Sequence, residues 1–196
     1  KKVHVIGHAV NLEKFQNKKN KFEPNNFLIL SRISESKNLE ISIDAFLKSK
    51  FGNKNLDVIG GPLNKNDEQY LKKLEFKYSN LNNINFLGKT KHIDLPNVLE
   101  KYDINFNSAG KGFYDKAVLE TLSMGIINFY HNPDFDSIYK SYSENYFFND
   151  LTDLTLKINL LENFQNFDFN NFFQSINRDL AKHSLSTLNE RLSRII

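Results

Sequence analysis

The sequence contains no cysteine, so neither disulfide bonds nor thiolate chemistry are available to this protein. Long apolar runs are also missing, because none approaches the roughly 20 residues that a membrane-spanning helix needs. No segment has the pattern of a secretory signal. The formal net charge is only +3 and the basic residues form no single face, which argues against a nucleic-acid partner. Together these absences favour a cytoplasmic protein.

The composition is that of a folded chain. Hydrophobic residues make up 40% of the 196 residues, enough for one domain with a sizeable core and an extension. The chain begins at Lys1 rather than at a methionine and enters a strand-like segment at once. We therefore expect it to be a piece of a longer polypeptide.

Short apolar runs alternate with helical patterns through most of the sequence. The predicted strands are residues 3–6, 27–30, 56–59, 84–87, 104–106 and 126–129. Between the second and the third of them, Leu39, Ile43 and Phe46 fall on one face of a helix. Regular alternation of strands with helices is typical of βαβ units. The sequence therefore predicts an α/β fold, with a Rossmann-like parallel sheet flanked by helices.

The pattern changes after residue 150, where only helical periodicity remains. We predict a Rossmann-like domain at residues 1–150 and C-terminal helices at 151–196 that pack on the same domain. The phenylalanines of this second part have no basic residues interleaved with them, so we expect core packing rather than stacking on nucleic-acid bases. They are Phe164, Phe167, Phe169, Phe172 and Phe173.

Residues 107–125 are the stretch on which the predicted site is centred. They follow a buried strand, contain Gly110 and Gly112, and continue into a short helix that Asp115 would cap and Gly125 would end. Such a strand-to-helix turn leaves backbone N–H groups unpaired at the positive end of the helix dipole. The turn is therefore a candidate phosphate site.

Glu120 lies inside this predicted helix, among apolar residues. One interpretation turns its carboxylate toward a polar ligand such as a sugar hydroxyl. The other makes it half of a surface ion pair with Lys116, four residues earlier. The local sequence by itself favours the ion pair.

A second charged turn contains Arg32 and Lys37. Both could converge on one anionic group, Arg32 as a bidentate donor and Lys37 as a point charge. Two solvated loop cations are the alternative. Ligands of open parallel sheets bind outside the carboxyl ends of the strands. The turns on that edge are residues 31–37, 60–62, 88–90 and 107–115. Their shared edge favours one site that combines the cations with the helix amides.

These motifs occur in the order found in one known family. The chain resembles the C-terminal, donor-binding domain of retaining nucleotide-sugar glycosyltransferases with two Rossmann-like domains, the group 1 or GT-B family. Residues 5–15 are similar to the family's entry segment, and residues 30–37 to its Gly-Arg-x-x-x-x-Lys phosphate loop. Residues 58–61 and 84–88 match its next two strand ends, and residues 108–125 match the stretch with its ribose-binding glutamate. The resemblance covers nearly the whole chain.

The resemblance implies a role for individual residues. Arg32 and Lys37 would hold the diphosphate during catalysis, and Glu120 would accept hydrogen bonds from the ribose. Residues 88–90 would lie against the base, and helix amides would cradle phosphate or sugar. The implied contacts to the substrate are Ser31, Gly60, Gly61, Gly88, Lys89, Thr90, Gly112, Phe113, Asp115, Lys116, Ala117 and Val118.

The sequence departs from the family pattern at three places. The family's first glutamate would fall at position 112, where this chain has Gly112. Asp115 stands nearby and begins a segment similar to the Asp-Lys-x-x-Leu-Glu version that some members carry. Because a carboxylate beside a phosphate is repulsive, we expect Asp115 to cap its helix rather than to contact the donor. Ser31 replaces the glycine that is common in the phosphate loop.

The resemblance also implies a function and partners. The chain would be the donor-binding half of a glycosyltransferase that moves a sugar from a UDP- or GDP-sugar to an acceptor with retention of configuration. Its missing partner would be the N-terminal acceptor domain of the same chain. A lipid-linked acceptor would associate the protein peripherally with the inner face of the membrane. No cofactor is implied, and the five histidines show no metal-ligand spacing, so no metal is expected.

Two other functions remain open from the sequence. The missing glutamate at Gly112 is consistent with a non-catalytic, glycosyltransferase-like domain that serves for interaction or ligand binding. Nucleotide-sugar epimerases share the architecture of two Rossmann-like domains, which makes an epimerase-like domain the third interpretation.

Overall fold

A parallel sheet of five strands forms the centre of the computed structural model, which describes residues 4, 8–166 and 168–195. The strands are β1 (Phe27–Leu30), β2 (Leu56–Ile59), β3 (Ile84–Gly88), β4 (Ile104–Asn107) and β5 (Ile127–Tyr130). Their order across the sheet is β3-β2-β1-β4-β5, with every neighbouring pair parallel. The chain starts in the middle, winds to one edge and then returns to build the other, which is a doubly wound topology.

Helices connect these strands and follow them. They are α1 (Leu39–Lys48), α2 (Lys65–Lys77), α3 (Leu95–Leu99), α4 (Lys116–Ser123), α5 (Asp136–Tyr139), α6 (Ser143–Tyr146), α7 (Leu151–Leu160), α8 (Phe169–Leu180) and α9 (Leu185–Ser193). The predicted α/β fold is therefore confirmed. β3, β4 and β5 each end one residue later than predicted, and β5 also begins one residue later. The predicted strand at residues 3–6 falls, apart from His4, outside the described residues.

Phenylalanine rings pack around the central strands. Phe27 of β1 lies 5.0 Å from Phe46 of α1 and 6.1 Å from Phe106 of β4, measured between ring centroids. Phe106 in turn lies 6.0 Å from Phe129 of β5. Burial of apolar area stabilises a fold by about 25 cal/mol per Å², so large rings contribute strongly. This packing joins the neighbouring strands β1, β4 and β5.

Backbone pairing between β1 and β4 is limited to the first half of each strand. They pair only at Phe27 with Ile104 and at Leu28 with Asn105. Beyond that point a side chain takes the place of a backbone acceptor. The N–H of Leu30 donates to Oδ1 of Asn105 at 2.9 Å. The side-chain amide thus satisfies a buried donor where the backbone pairing of the two strands has ended. The order of the strands reverses between β1 and β4, so this is the switch point of the sheet.

The helices after residue 150 pack on the same structure. α7 contacts α1, and α8 contacts α4 and α5. Phe169, Phe172 and Phe173 are buried as predicted, whereas the side chains of Phe164 and Phe167 lie outside the described part. The domain boundary at residue 150 stays a prediction. In the described residues, no helix combines the length and the apolar character that crossing a membrane requires.

Candidate functional site

A cavity of about 280 Å³ lies at the carboxyl edge of the sheet. Its walls come from the loops after β1, β2 and β3, from the start of α3, and from the first turns of α4. The lining residues are Leu30, Ser31, Arg32, Ile59, Gly60, Lys89, Thr90, Leu95, Asp115, Lys116, Ala117 and Glu120. The predicted meeting of separate loops at one edge is therefore observed. Other predicted site residues lie around this cavity without lining it, namely Lys37, Gly61, Gly88, Gly112, Phe113 and Val118.

A larger cavity, of about 850 Å³, lies near the amino end of β1. Its walls include residues 20–25 and Phe51, and its lysine, Lys21, is paired with Glu23 at 2.8 Å. Parallel sheets bind ligands at the opposite edge, outside the carboxyl ends of their strands. We therefore place the candidate functional site in the cavity of about 280 Å³, although the other cavity has the larger volume.

The backbone of the loop after β1 is held by β2. The N–H of Ser31 donates to the carbonyl oxygen of Ile59 at 3.1 Å, and the N–H of Ile33 donates to that of Gly61 at 3.2 Å. Gly60 has a φ of 147°, and a Cβ added there would lie 1.8 Å from the carbonyl oxygen of Ser31. Only glycine fits at this position. The two loops therefore lock together.

Two exposed cations stand at the mouth of the cavity. Arg32 and Lys89 are both exposed, and neither side chain makes a hydrogen bond or an ion pair with any residue of the described part. The stem of Lys89 lies over Gly61, where an added Cβ would come within 2.6 Å of Lys89 Cγ. Both cations are thus free to bind an anion from solution.

Lys37 has a different environment. Its Nζ lies 2.8 Å from Oδ2 of Asp115, and the two side chains are only 10% and 15% exposed. The ring of Phe113 lies 5.5 Å from the same Nζ, and Asn107 Nδ2 donates to Asp115 Oδ2 at 3.2 Å. The ammonium predicted to hold a diphosphate is therefore engaged by a carboxylate inside the protein.

Asp115 also caps α4, as predicted. Its Oδ1 accepts from the N–H of Ala117 at 3.4 Å, and its carbonyl oxygen accepts from the N–H of Val118 at 3.1 Å. Gly125, with a φ of 75°, follows the helix as the predicted stop. Since these two amides of the first turn have partners, the positive charge at the cavity comes mainly from the side chains of Arg32, Lys89 and Lys116.

Glu120 combines the two interpretations that the sequence left open. Its side chain is only 7% exposed and lines the cavity, yet its Oε1 lies 3.6 Å from Nζ of Lys116. The same oxygen lies 3.0 Å from Nε2 of His92 in the loop after β3. Sequence reasoning missed His92, although it directly follows the turn at 88–90 and so belongs to the predicted edge.

The loop between β4 and α4 is anchored through Tyr114. Its ring lies 4.5 Å from that of Phe135, and it stacks against His8 and His183 at 5.8 and 5.9 Å. Burial, and to a smaller degree the carboxylate of Asp134, raises the pKa of Tyr114 to about 12. The phenol is therefore neutral at physiological pH and acts as an aromatic anchor.

In the described part of the chain, no three His, Asp or Glu side chains group as metal ligands would.

The fold is that of a doubly wound α/β domain, and its candidate ligand site is lined by three cationic side chains and two carboxylates. The sequence model of the family "Glycosyl transferases group 1" matches residues 11–132, which is more than half of the chain. The chain therefore belongs to this family, and the resemblance seen in its motifs is confirmed. No curated protein matches its sequence significantly.

Solved structures of glycosyltransferases share the fold. The C-terminal domain of the group 1 protein LpcC from Francisella tularensis has a TM-score of 0.73 at 17% identity, with 90% of this chain and 100% of that domain covered. Alr3699/HepE from Anabaena, solved with UDP and glucose, has a TM-score of 0.76 at 16% identity, over 95% of this chain and 55% of that one. The pneumococcal O-GlcNAc transferase GtfA, solved with UDP and GlcNAc, has a TM-score of 0.70 at 13% identity, over 96% and 38%.

These likenesses concern the fold, because all three identities are low. The chain covers LpcC's C-terminal domain completely but spans only about half of HepE and less of GtfA. It corresponds in fold to one domain of the longer chains.

Proposed function

We propose that this chain is the donor-binding half of a glycosyltransferase that takes its sugar from a UDP-sugar. The observation that carries the proposal is the cavity in which Arg32, Lys89 and Lys116 line one space together with the buried carboxylate of Glu120. A UDP-sugar matches this arrangement. Its anionic diphosphate can bind the three cations, and its ribose has two neighbouring hydroxyls that can donate to Glu120.

The charges of the cavity favour a diphosphate. Arg32 can bind a phosphate with two parallel hydrogen bonds, whereas each lysine acts as a point charge. A hydrogen bond between charged groups contributes about 1.5–3 kcal/mol. The one carboxylate at the start of α4, Asp115, does not offset these cations, because Lys37 neutralises it from 2.8 Å. In this proposal Lys37 assists the donor by removing a repulsion rather than by direct contact.

The choice of uridine rests on the related structures. HepE was solved with UDP and glucose, and GtfA with UDP and GlcNAc. Both share the fold of this chain over nearly its whole length. We place the base against the loop that contains Lys89 and Thr90, where the family resemblance puts it. GDP is the nucleotide with which UDP is compared in the experiment below.

In the complete enzyme the sugar would pass to an acceptor with retention of configuration, as in the enzymes that this chain resembles. The departing UDP gains negative charge, and preoriented cations stabilise charge that develops during a reaction. An N-terminal acceptor domain would complete the site. A lipid-linked acceptor would bring the enzyme to the cytoplasmic face of the membrane.

Calorimetric titration of UDP into the wild type and into Arg32→Ala tests the proposal. The wild type is expected to bind UDP more tightly than GDP. Arg32→Ala is expected to bind UDP about 10- to 100-fold more weakly, because it loses one bidentate, charge-assisted contact.

Arg178→Ala is the matched control, since Arg178 is also exposed but lies on α8 and does not line the cavity. Its UDP affinity should equal that of the wild type. A folded wild type that takes up neither UDP nor GDP would refute the donor site. That result would favour the alternative of a non-catalytic interaction domain, which is consistent with the absence of the family's first glutamate at Gly112.

A further inference from the structure

One oxygen of the Glu120 carboxylate is already held by the protein. Oε1 lies 3.0 Å from Nε2 of His92 and 3.6 Å from Nζ of Lys116. Oε2 accepts no hydrogen bond from the residues that the structure describes, and it is not fully buried. Because Glu120 lines the cavity, its second oxygen remains available to a ligand.

His92 is fixed from its other side by the segment that precedes β1. The ring of the buried Phe15 lies 5.4 Å from the imidazole. Nζ of Lys14 donates to the carbonyl oxygen of His92 at 2.6 Å. The His92 side chain is nevertheless 56% exposed, so core burial does not account for its position. These contacts present Nε2 to Glu120.

We propose that His92 is a positioning residue of the donor site. It holds Oε1 of Glu120, so that Oε2 is directed at the ribose hydroxyls of a uridine diphosphate. The inference rests on the proposed function, and it adds a residue that the sequence motifs did not include.

The chemistry of the pair supports this role. An ionised carboxylate only accepts hydrogen bonds, so Nε2 of His92 must carry the hydrogen, in the neutral tautomer as well as in the imidazolium. The bond therefore does not require a charged histidine. A glutamate side chain loses rotamer freedom when it binds a ligand, and a bond formed beforehand removes part of that cost. Pre-positioning should therefore increase affinity for ligands that have the hydroxyls.

The test compares two nucleotides that differ only at the ribose, UDP and 2′,3′-dideoxyuridine diphosphate. Calorimetry is expected to show that His92→Ala binds UDP about tenfold more weakly than the wild type does, the effect of one hydrogen bond to an ionised group. Its affinity for the dideoxy nucleotide should change less than about twofold, since no hydroxyl meets Glu120. His92→Gln keeps an N–H donor and should retain UDP affinity within about threefold.

Ile93→Ala is the control within the same loop, because Ile93 is 70% exposed and does not line the cavity. Thermal unfolding of each variant checks that it is folded. An equal loss for both nucleotides, or no loss for UDP, overturns the role of His92 while UDP binding by the wild type stands. A wild type that does not bind UDP overturns both proposals.

Discussion

Replacing Lys37 with methionine is expected to lower the free energy of unfolding by about 3 kcal/mol, because it leaves a largely buried carboxylate without a cation. The side chains of Lys37 and Asp115 are only 10% and 15% exposed, so water from the cavity that Asp115 lines can replace the lost ammonium only in part. The amide of Asn107 still donates to Asp115, but a neutral group does not balance its charge. Urea unfolding followed by circular dichroism measures the difference.

Lys18→Met is the matched control for this prediction. Lys18 pairs with Glu100 at the surface, where the side chains are 68% and 44% exposed. Exposed pairs contribute about 0–1 kcal/mol, so the control should change stability little. Adding Asp115→Asn to Lys37→Met should recover most of the loss, since it removes the unpaired charge. An effect of Lys37→Met as small as that of Lys18→Met would show that the pair is weak and that Lys37 is available to the donor.

Gly60→Ala is expected to destabilise the protein by about 2–4 kcal/mol and to abolish measurable UDP binding. The new Cβ would lie 1.8 Å from the carbonyl oxygen of Ser31, and a φ of 147° is strained for any residue with a side chain. The backbone of Ser31 and Arg32 would have to move, although it forms one wall of the cavity. Urea unfolding and UDP calorimetry on the same samples measure the two effects.

Gly112→Ala separates backbone strain from the steric clash. Gly112 also has a positive φ, of 87°, but apart from its chain neighbours no atom of the described residues lies within 4 Å of a Cβ placed there. Strain alone should cost about 1–2 kcal/mol. If Gly60→Ala is no more destabilising than Gly112→Ala, then the contact between the two loops is not what requires glycine at position 60.

Both carboxylates at the cavity are paired with a group of the protein. Asp115 places a carboxylate at the helix start, close to where the proposed diphosphate binds, and Lys37 neutralises it. Glu120 would be an isolated buried charge if Lys116 and His92 did not contact it. In both cases a cation or a donor from another element makes the carboxylate tolerable inside the protein.

Much of the fold could be predicted from the sequence, because the signals are local. The predicted strands at 27–30 and 56–59 coincide with β1 and β2, since the inner strands of a parallel sheet are short and mainly apolar segments. The cap at Asp115 was predictable for the same reason, as its acceptor and its donor are two residues apart. β5 begins one residue later than predicted, because Ile126 and Ile127 are both buried and the apolar pattern alone does not mark where strand pairing begins.

The sequence by itself determined the order of strands and helices and the set of turns that share one edge of the sheet. Only the tertiary structure decided which charged groups meet there. Lys37 and Asp115 are 78 positions apart, and His92 and Glu120 are 28 positions apart. Such contacts depend on how loops from different strands pack against one another at the carboxyl edge of the sheet, and neither composition nor spacing along the chain specifies that packing.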